Sequence, residues 1–148
     1  MGYAFGTYEH QIDAKGRMRI PAKIKSAFGE QMMVTTGIQG CLYVYPESKF
    51  VQIAEKIDNS LSSFDELDAD AARLLGDAHQ IDEDDQGRFT LPSRLREFAG
   101  LSKDVKDIVF VGIGSRVELW SAERWNAHKS EMNTKSGEIN SRLKEAGL

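Results

Sequence analysis

The sequence predicts an α+β protein, mainly β, in which two pseudo-symmetric units share one small β-barrel core and carry flanking helices. Three observations lead there. The phrase "DAKGRMRIP" (Asp13–Pro21) returns as "DDQGRFTLP" (Asp84–Pro92), so Asp13, Arg17 and Pro21 recur as Asp84, Arg88 and Pro92 at one constant offset. The match extends upstream, where "HQID" (His10–Asp13) recurs at His79–Asp82. It extends downstream too, where "TGIQGCLYVYPESKF" aligns with "VGIGSRVELWSAERW" and Tyr45 and Phe50 match Trp120 and Trp125. Finally, apolar residues alternate around each phrase, whereas the segments between and after the units follow a helical period. Units this short do not bury an apolar face alone, so the halves are expected to share a core.

Each unit reads strand, strand, short helix, strand, strand. "YAFGTYEHQI" and "GDAHQI" are the leading strands, the first with aromatic and polar residues roughly alternating. Gly16 and Gly87 then mark tight turns or bulges, where a positive φ is often required. Alternation resumes in "RMRI" and "RFTL", placing Met18 and Ile20 on one side and Arg17 and Arg19 on the other. Pro21 and Pro92 suit the first turn of the short helices "AKIKSAF" and "SRLREFA", which needs no amide donor there. Gly29 and Gly100 are their stops. "QMMVTTG" with "CLYVYP" completes the first unit, and "DIVFVGI" with "RVELW" the second.

The boundaries follow: a first unit over 7–49, a helical connector over 50–77, a second unit over 78–124 and C-terminal helices over 125–148. Phe50, Ile53, Ala54 and Ile57 share one helical face of "ESKFVQIAEKIDNSL". "SFDELDADAARLLGDA" crowds acids into its first turns, where the helix dipole favours them. Ser121 is a good N-cap for "AERWNAHKSEM", and Ile139 and Leu143 lie four apart in "GEINSRLKEAGL".

Composition narrows the function. At 148 residues, 41% hydrophobic and 28% charged, the chain has a globular composition, and its apolar runs are too short for a membrane span. "MGYAFGTYEH" has neither a basic segment nor an apolar one, so no secretory leader is expected. Cys41 is the single cysteine, which fits a reducing cytoplasm and reads as a small buried hydrophobe. With three scattered histidines, no zinc cluster, metal or other cofactor is expected.

The repeated phrase itself carries the candidate site. A carboxylate four residues before an arginine, across a glycine turn, can accept a two-pronged hydrogen bond from the guanidinium. Such a pair either pins the turn or presents a pre-aimed arginine to a phosphate or base edge. Doubling favours the second use, as does the local charge: Lys15, Arg17, Arg19, Lys23 and Lys25 have no acid among them, and Arg88, Arg94 and Arg96 follow in the second unit. The net charge of −4 is no objection, because the acids crowd between Asp58 and Asp85, where Arg73 is the one cation. Phosphates respond to the local field, not the sum over the chain.

The tandem Asp-x-x-x-Arg phrases, the "LYVYP" and "VELW" strand ends and the overall length resemble the MraZ family, whose halves are similar to AbrB-type swapped-hairpin units. The resemblance covers essentially the whole chain. It implies a cytoplasmic, nucleoid-associated bacterial transcription regulator that binds short direct repeats in double-stranded DNA upstream of a cell-division and cell-wall gene cluster. It also implies a homo-oligomeric ring of eight or twelve subunits. Carried over by position, Asp13 with Arg17 and Asp84 with Arg88 are the motif pairs, the aspartates as buttresses. Lys15, Arg17, Arg19, Lys23, Arg88 and Arg94 are the expected DNA contacts. Asp85 and Gln86 depart from the pattern, so the first unit is expected to lead on DNA.

Two other classes compete. Catalysis would need a nucleophile beside a base, and neither His10 and His79 nor the Gly114-Ser115 turn supplies one. A non-catalytic, antitoxin-like ring that binds protein would instead work through the acidic connector and Trp120/Trp125, which read more simply as core residues covering the barrel end.

Overall fold

The computed structural model describes residues 2–62, 64–102 and 104–148. Ser63, the first residue of the second connector stretch, lies outside them. The first unit contains β1 (Ala4–Gln11), β2 (Arg17–Arg19), α1 (Ala22–Phe28), β3 (Met32–Thr36) and β4 (Leu42–Pro46). The second contains β5 (His79–Gln80), β6 (Arg88–Thr90), α4 (Ser93–Phe98), β7 (Asp107–Gly114) and β8 (Val117–Ser121). Between them run α2 (Glu47–Ser60), α3 (Glu66–Arg73) and a 3-10 turn at Leu74–Asp77. The chain ends in α5 (Ala122–Thr134) and α6 (Ser136–Glu145).

The units are interleaved. The six-stranded antiparallel sheet has the order β1-β7-β8-β4-β3-β5, and β2 pairs with β6 in a separate ribbon. Under the repeat β1 answers to β5, β3 to β7 and β4 to β8, so the order reads the same from either edge. Each leading strand pairs with the other unit: β1 runs along β7 from Ala4 opposite Gly114 to Gln11 opposite Asp107, and β5 pairs with β3. In the ribbon Met18 faces Phe89, with Arg17 opposite Thr90 and Arg19 opposite Arg88. The pseudo-two-fold therefore passes between Met18 and Phe89.

This arrangement makes one core. Met18, Ile20, Ile24 and Phe28 from the first unit pack with Phe89, Leu91, Leu95 and Leu101 from the second, over Val34, Leu42, Phe110 and Leu119 of the sheet. A second cluster, Cys41, Val109, Val111 and Trp120, is joined by the partly buried Trp125 of α5. The aromatic residues aligned by the repeat form equivalent pairs, Tyr45 with Phe50 at 6.1 Å and Trp120 with Trp125 at 5.5 Å between ring centres. Burial pushes the Cys41 thiol up to about 12, with the Glu118 carboxylate adding to the shift. It is a packing residue.

Two local readings need correction. "GDAHQI" is read from sequence as a strand throughout, but only His79 and Gln80 are extended. The 3-10 turn before it carries Asp77 inward to pair with Arg94, which leaves few residues to pair with β3. Pro21 and Pro92 stand just before their helices rather than inside the first turn. Their carbonyls accept from Ile24 and Lys25, and from Leu95 and Arg96, at 3.0–3.1 Å. The other capping readings agree with the fold: Ser121 accepts from the Arg124 amide at 3.2 Å. On α2, Phe50, Ile53, Ala54 and Ile57 share the half-buried face.

Gly112 tests the cross-unit pairing. A Cβ there would stand 2.8 Å from the Ala4 carbonyl oxygen, a backbone atom held by the β1–β7 ladder. Gly112→Ala is expected to push β1 off β7 and lower stability by about 1–3 kcal/mol. Gly137→Ala, whose Cβ would meet open space in α6, should not. Urea unfolding of both variants measures the difference.

Candidate nucleic-acid interface

The site begins with two equivalent turns. In the first, Asp13 Oδ1 accepts the backbone amides of Lys15 and Arg17 at 2.9 Å each, and Oδ2 accepts Arg17 Nε at 2.6 Å. The Gly16 amide donates to the Asp13 carbonyl at 2.9 Å, and the Asp13 amide donates to the Arg17 carbonyl at 3.0 Å. Asp84 repeats the set, with the amides of Gln86 and Arg88 at 2.9 Å and Arg88 Nε at 3.0 Å. Each is a three-residue hairpin loop whose last residue is left-handed, with φ of 79° at Gly16 and 73° at Gly87. The glycines are required for that reason.

The carboxylate therefore acts differently from the two-pronged pairing expected from sequence. One oxygen is taken by the turn's own backbone, so only the guanidinium Nε reaches the other. The consequence favours presentation over mere pinning. Arg17 and Arg88 are each held at Nε, while their Nη groups have no hydrogen-bond partner among the described residues.

The ribbon then sorts its side chains by the two-residue period of a strand. Met18 and Phe89 are buried in the core, and Arg17, Arg19, Arg88 and Thr90 lie on the other face. Arg19 stands directly opposite Arg88, an arrangement that like charges make unfavourable in an isolated ribbon. Arg19 Nε donates to the Gln86 carbonyl at 3.2 Å, which ties the first unit's ribbon strand to the second unit's turn. The His10 ring donates Nδ1–H to the Arg19 carbonyl at 3.2 Å. His10, Gln11 and Asp13 line a hollow with Arg17, Arg19 and Arg88.

The remaining expected contacts lie around this face rather than on it. Lys15 is in the first turn and Lys23 on α1, both exposed and without an ion pair among the described residues. Arg94, the repeat equivalent of Lys23, is exposed on α4, but its Nη2 is 2.9 Å from the buried Asp77 carboxylate. Sequence order misplaced two further cations. Lys25 of α1 reaches the second unit's Glu83, and Arg96 of α4 lies against the first unit's Gly16. Their positions in the repeat would have revealed the exchange once the swapped pairing was imposed on them.

The carboxylates are held in their charged form. The Arg17 amide foremost, then the Arg17 guanidinium and the Lys15 amide, lower the Asp13 carboxyl against an opposing loss of solvent. At Asp84 the Arg88 amide leads, followed by the Gln86 amide and the Arg88 guanidinium, again against a loss of solvent. Both groups should titrate below the ordinary value of 3.8. Because the folded value is depressed, their contribution to stability is present above that value and fades as pH falls through the folded midpoint. NMR titration of the side-chain carboxyl carbons measures both midpoints. Midpoints at or above the ordinary value would mean that the clamps do not persist in solution.

Comparison with known proteins agrees with this architecture. The family described as "MraZ protein, putative antitoxin-like" matches twice, over residues 4–73 and 74–145. A protein of Lachnoclostridium phytofermentans named transcriptional regulator MraZ is 39% identical over 97% of this chain and 96% of its own length. Proteins of the same name are 38% identical in Symbiobacterium thermophilum, over 95% of this chain and 96% of theirs, and 42% identical in Carboxydothermus hydrogenoformans, over 82% of each. Two matches in tandem, two clamped turns and near-complete coverage by these relatives lead to one conclusion: the chain belongs to the MraZ family.

Proposed function

We propose that this protein is a sequence-specific DNA-binding transcriptional regulator of the bacterial cytoplasm, associated with the nucleoid. Its target is short direct repeats upstream of a cell-division and cell-wall gene cluster. The observation that carries the DNA reading is the outer face of the β2–β6 ribbon, where two arginines are fixed at Nε by aspartates and a third stands opposite Arg88. A two-stranded ribbon fits the major groove, and a guanidinium fork matches the O6 and N7 acceptors of guanine. The names of the relatives support regulation of transcription.

In this reading Arg17 and Arg88 read bases, Arg19 reads a base or a phosphate, and Lys15, Lys23 and Arg94 meet phosphates. Asp13 and Asp84 aim the readers. The working units are residues 7–49 and 78–124, carried by the 50–77 connector and the 125–148 helices. The subunits assemble into a ring of eight or twelve. Exposed apolar side chains suit a head-to-tail contact: Tyr3, Phe5 and Ile113 lie by the β1 edge of the sheet. Phe64, Leu67 and Leu74 lie in and around the connector, which meets β3 towards the opposite edge. No described helix is long and apolar enough to cross a membrane.

Arg17→Ala is expected to abolish specific binding to the direct repeats while leaving the oligomer intact. Each lost base contact costs about 1–3 kcal/mol, compounded when several subunits engage adjacent repeats. Anisotropy titration and sedimentation report the two properties, and unchanged affinity would remove Arg17 as a reader.

Asp13→Ala should split two affinities. Removing a negative charge favours non-specific attraction, but a freed Arg17 must be ordered at a cost on the order of 1 kcal/mol. Specific affinity should therefore fall while random-sequence affinity holds or rises. Equal gains on both duplexes would show that Asp13 positions nothing. Binding insensitive to salt would instead favour a protein-binding ring, since phosphate neutralisation must weaken with salt.

A further inference from the structure

The interleaving of the units redistributes basic side chains in a way that chain order conceals. Arg96 belongs to α4 of the second unit, yet its guanidinium lies on the first unit's turn. A Cβ at Gly16 would stand 2.6 Å from Arg96 Nη1 and 2.9 Å from Cζ, and Gly16 is itself buried. Arg96 Nε donates to the Leu101 carbonyl at 3.2 Å, which holds the guanidinium by one corner. Arg96 forms no ion pair among the described residues.

Its repeat equivalent, Lys25, crosses in the opposite direction and meets a different fate. Lys25 Nζ lies 2.9 Å and 3.1 Å from the two carboxylate oxygens of Glu83. Glu83 Oε2 is also the atom that a Cβ at Gly87 would meet, at 3.7 Å. So the turn around Gly16 rests on an uncompensated guanidinium, and the turn around Gly87 rests beside a neutralised pair.

Resting on the reading of this face as the DNA interface, we propose that Arg96 works with the first unit. It completes a phosphate-binding site with Lys15, beside the base-reading Arg17, that Glu83 denies to the second unit. A planar guanidinium can lie flat on a glycine backbone and still offer its outer N–H groups, which an ammonium cannot do. Glycine at position 16 serves two ends, the left-handed turn and the seat for Arg96.

The test is the slope of log affinity against log salt for a labelled random-sequence duplex, where each phosphate neutralised contributes roughly 0.9. Arg96→Gln should reduce the slope by about that amount and Arg96→Lys, which keeps the charge but not the flat seat on Gly16, should restore only part of it, while Arg73→Gln, on the connector cation paired with Asp70, should change it much less. Glu83→Gln should do the opposite: by releasing Lys25 it should steepen the slope by a similar step. That second variant leaves α4 untouched, so it decides the matter even if Arg96→Gln fails to fold. Glu83→Gln with an unchanged slope, or folded Arg96→Gln with an unchanged slope while Lys15→Gln reduces it, overturns the proposal and leaves the DNA reading standing. A wild-type protein whose duplex binding shows no salt dependence overturns both.

Discussion

Met18 and Phe89 face each other across the β2–β6 ribbon, and the rest of the molecule depends on that contact. Each ribbon strand has only three residues, too few to hold together by its ladder alone. Burying the two side chains, worth about 1.5–3 kcal/mol apiece relative to exposure, anchors the ribbon to the core. Because the strands come from different units, the same contact commits the chain to interleaving. Neither unit can close its core without the other. The arginines are outward for the same reason that Met18 and Phe89 are inward: a strand reverses its side chains at every residue.

The turns then convert a placed strand into a presented charge. Asp13 and Asp84 each spend one oxygen on the backbone and leave the other for Nε, so the guanidinium is held by its stem and not by its fork. A bidentate pair would have occupied the donors that a nucleic acid needs. The unfavourable juxtaposition of Arg19 and Arg88 is sustained because the hydrophobic face beneath it fixes the register. An anion on this surface relieves a repulsion already present in the fold.

Pseudo-symmetry in the backbone does not extend to the charges. Both turns have the same hydrogen bonds and the same left-handed glycine, yet their surroundings diverge. Among the described residues Lys23 has no ion pair where Arg94 is held by Asp77, and Arg96 has none where Lys25 is held by Glu83. Across the first turn the cations are available. Across the second they are largely answered by acids. A duplicated architecture has thereby diverged electrostatically without altering its scaffold.

The sequence alone determined the repeat, the order of elements in each unit, the buried and exposed sides of "RMRI" and "RFTL", and the clamped pairs Asp13–Arg17 and Asp84–Arg88. All of these rest on interactions within about four residues, or on a period that any strand or helix must obey. The leading strand of the second unit is shorter than its sequence suggests because its length depends on where Asp77 finds its partner. Only the tertiary structure decided that Arg19 faces Arg88, that Lys25 is paired with Glu83 and that Arg96 lies under the turn around Gly16. Those facts follow from one unit's strands pairing with the other's, and charge counted along a chain carries no record of which unit lies beside which.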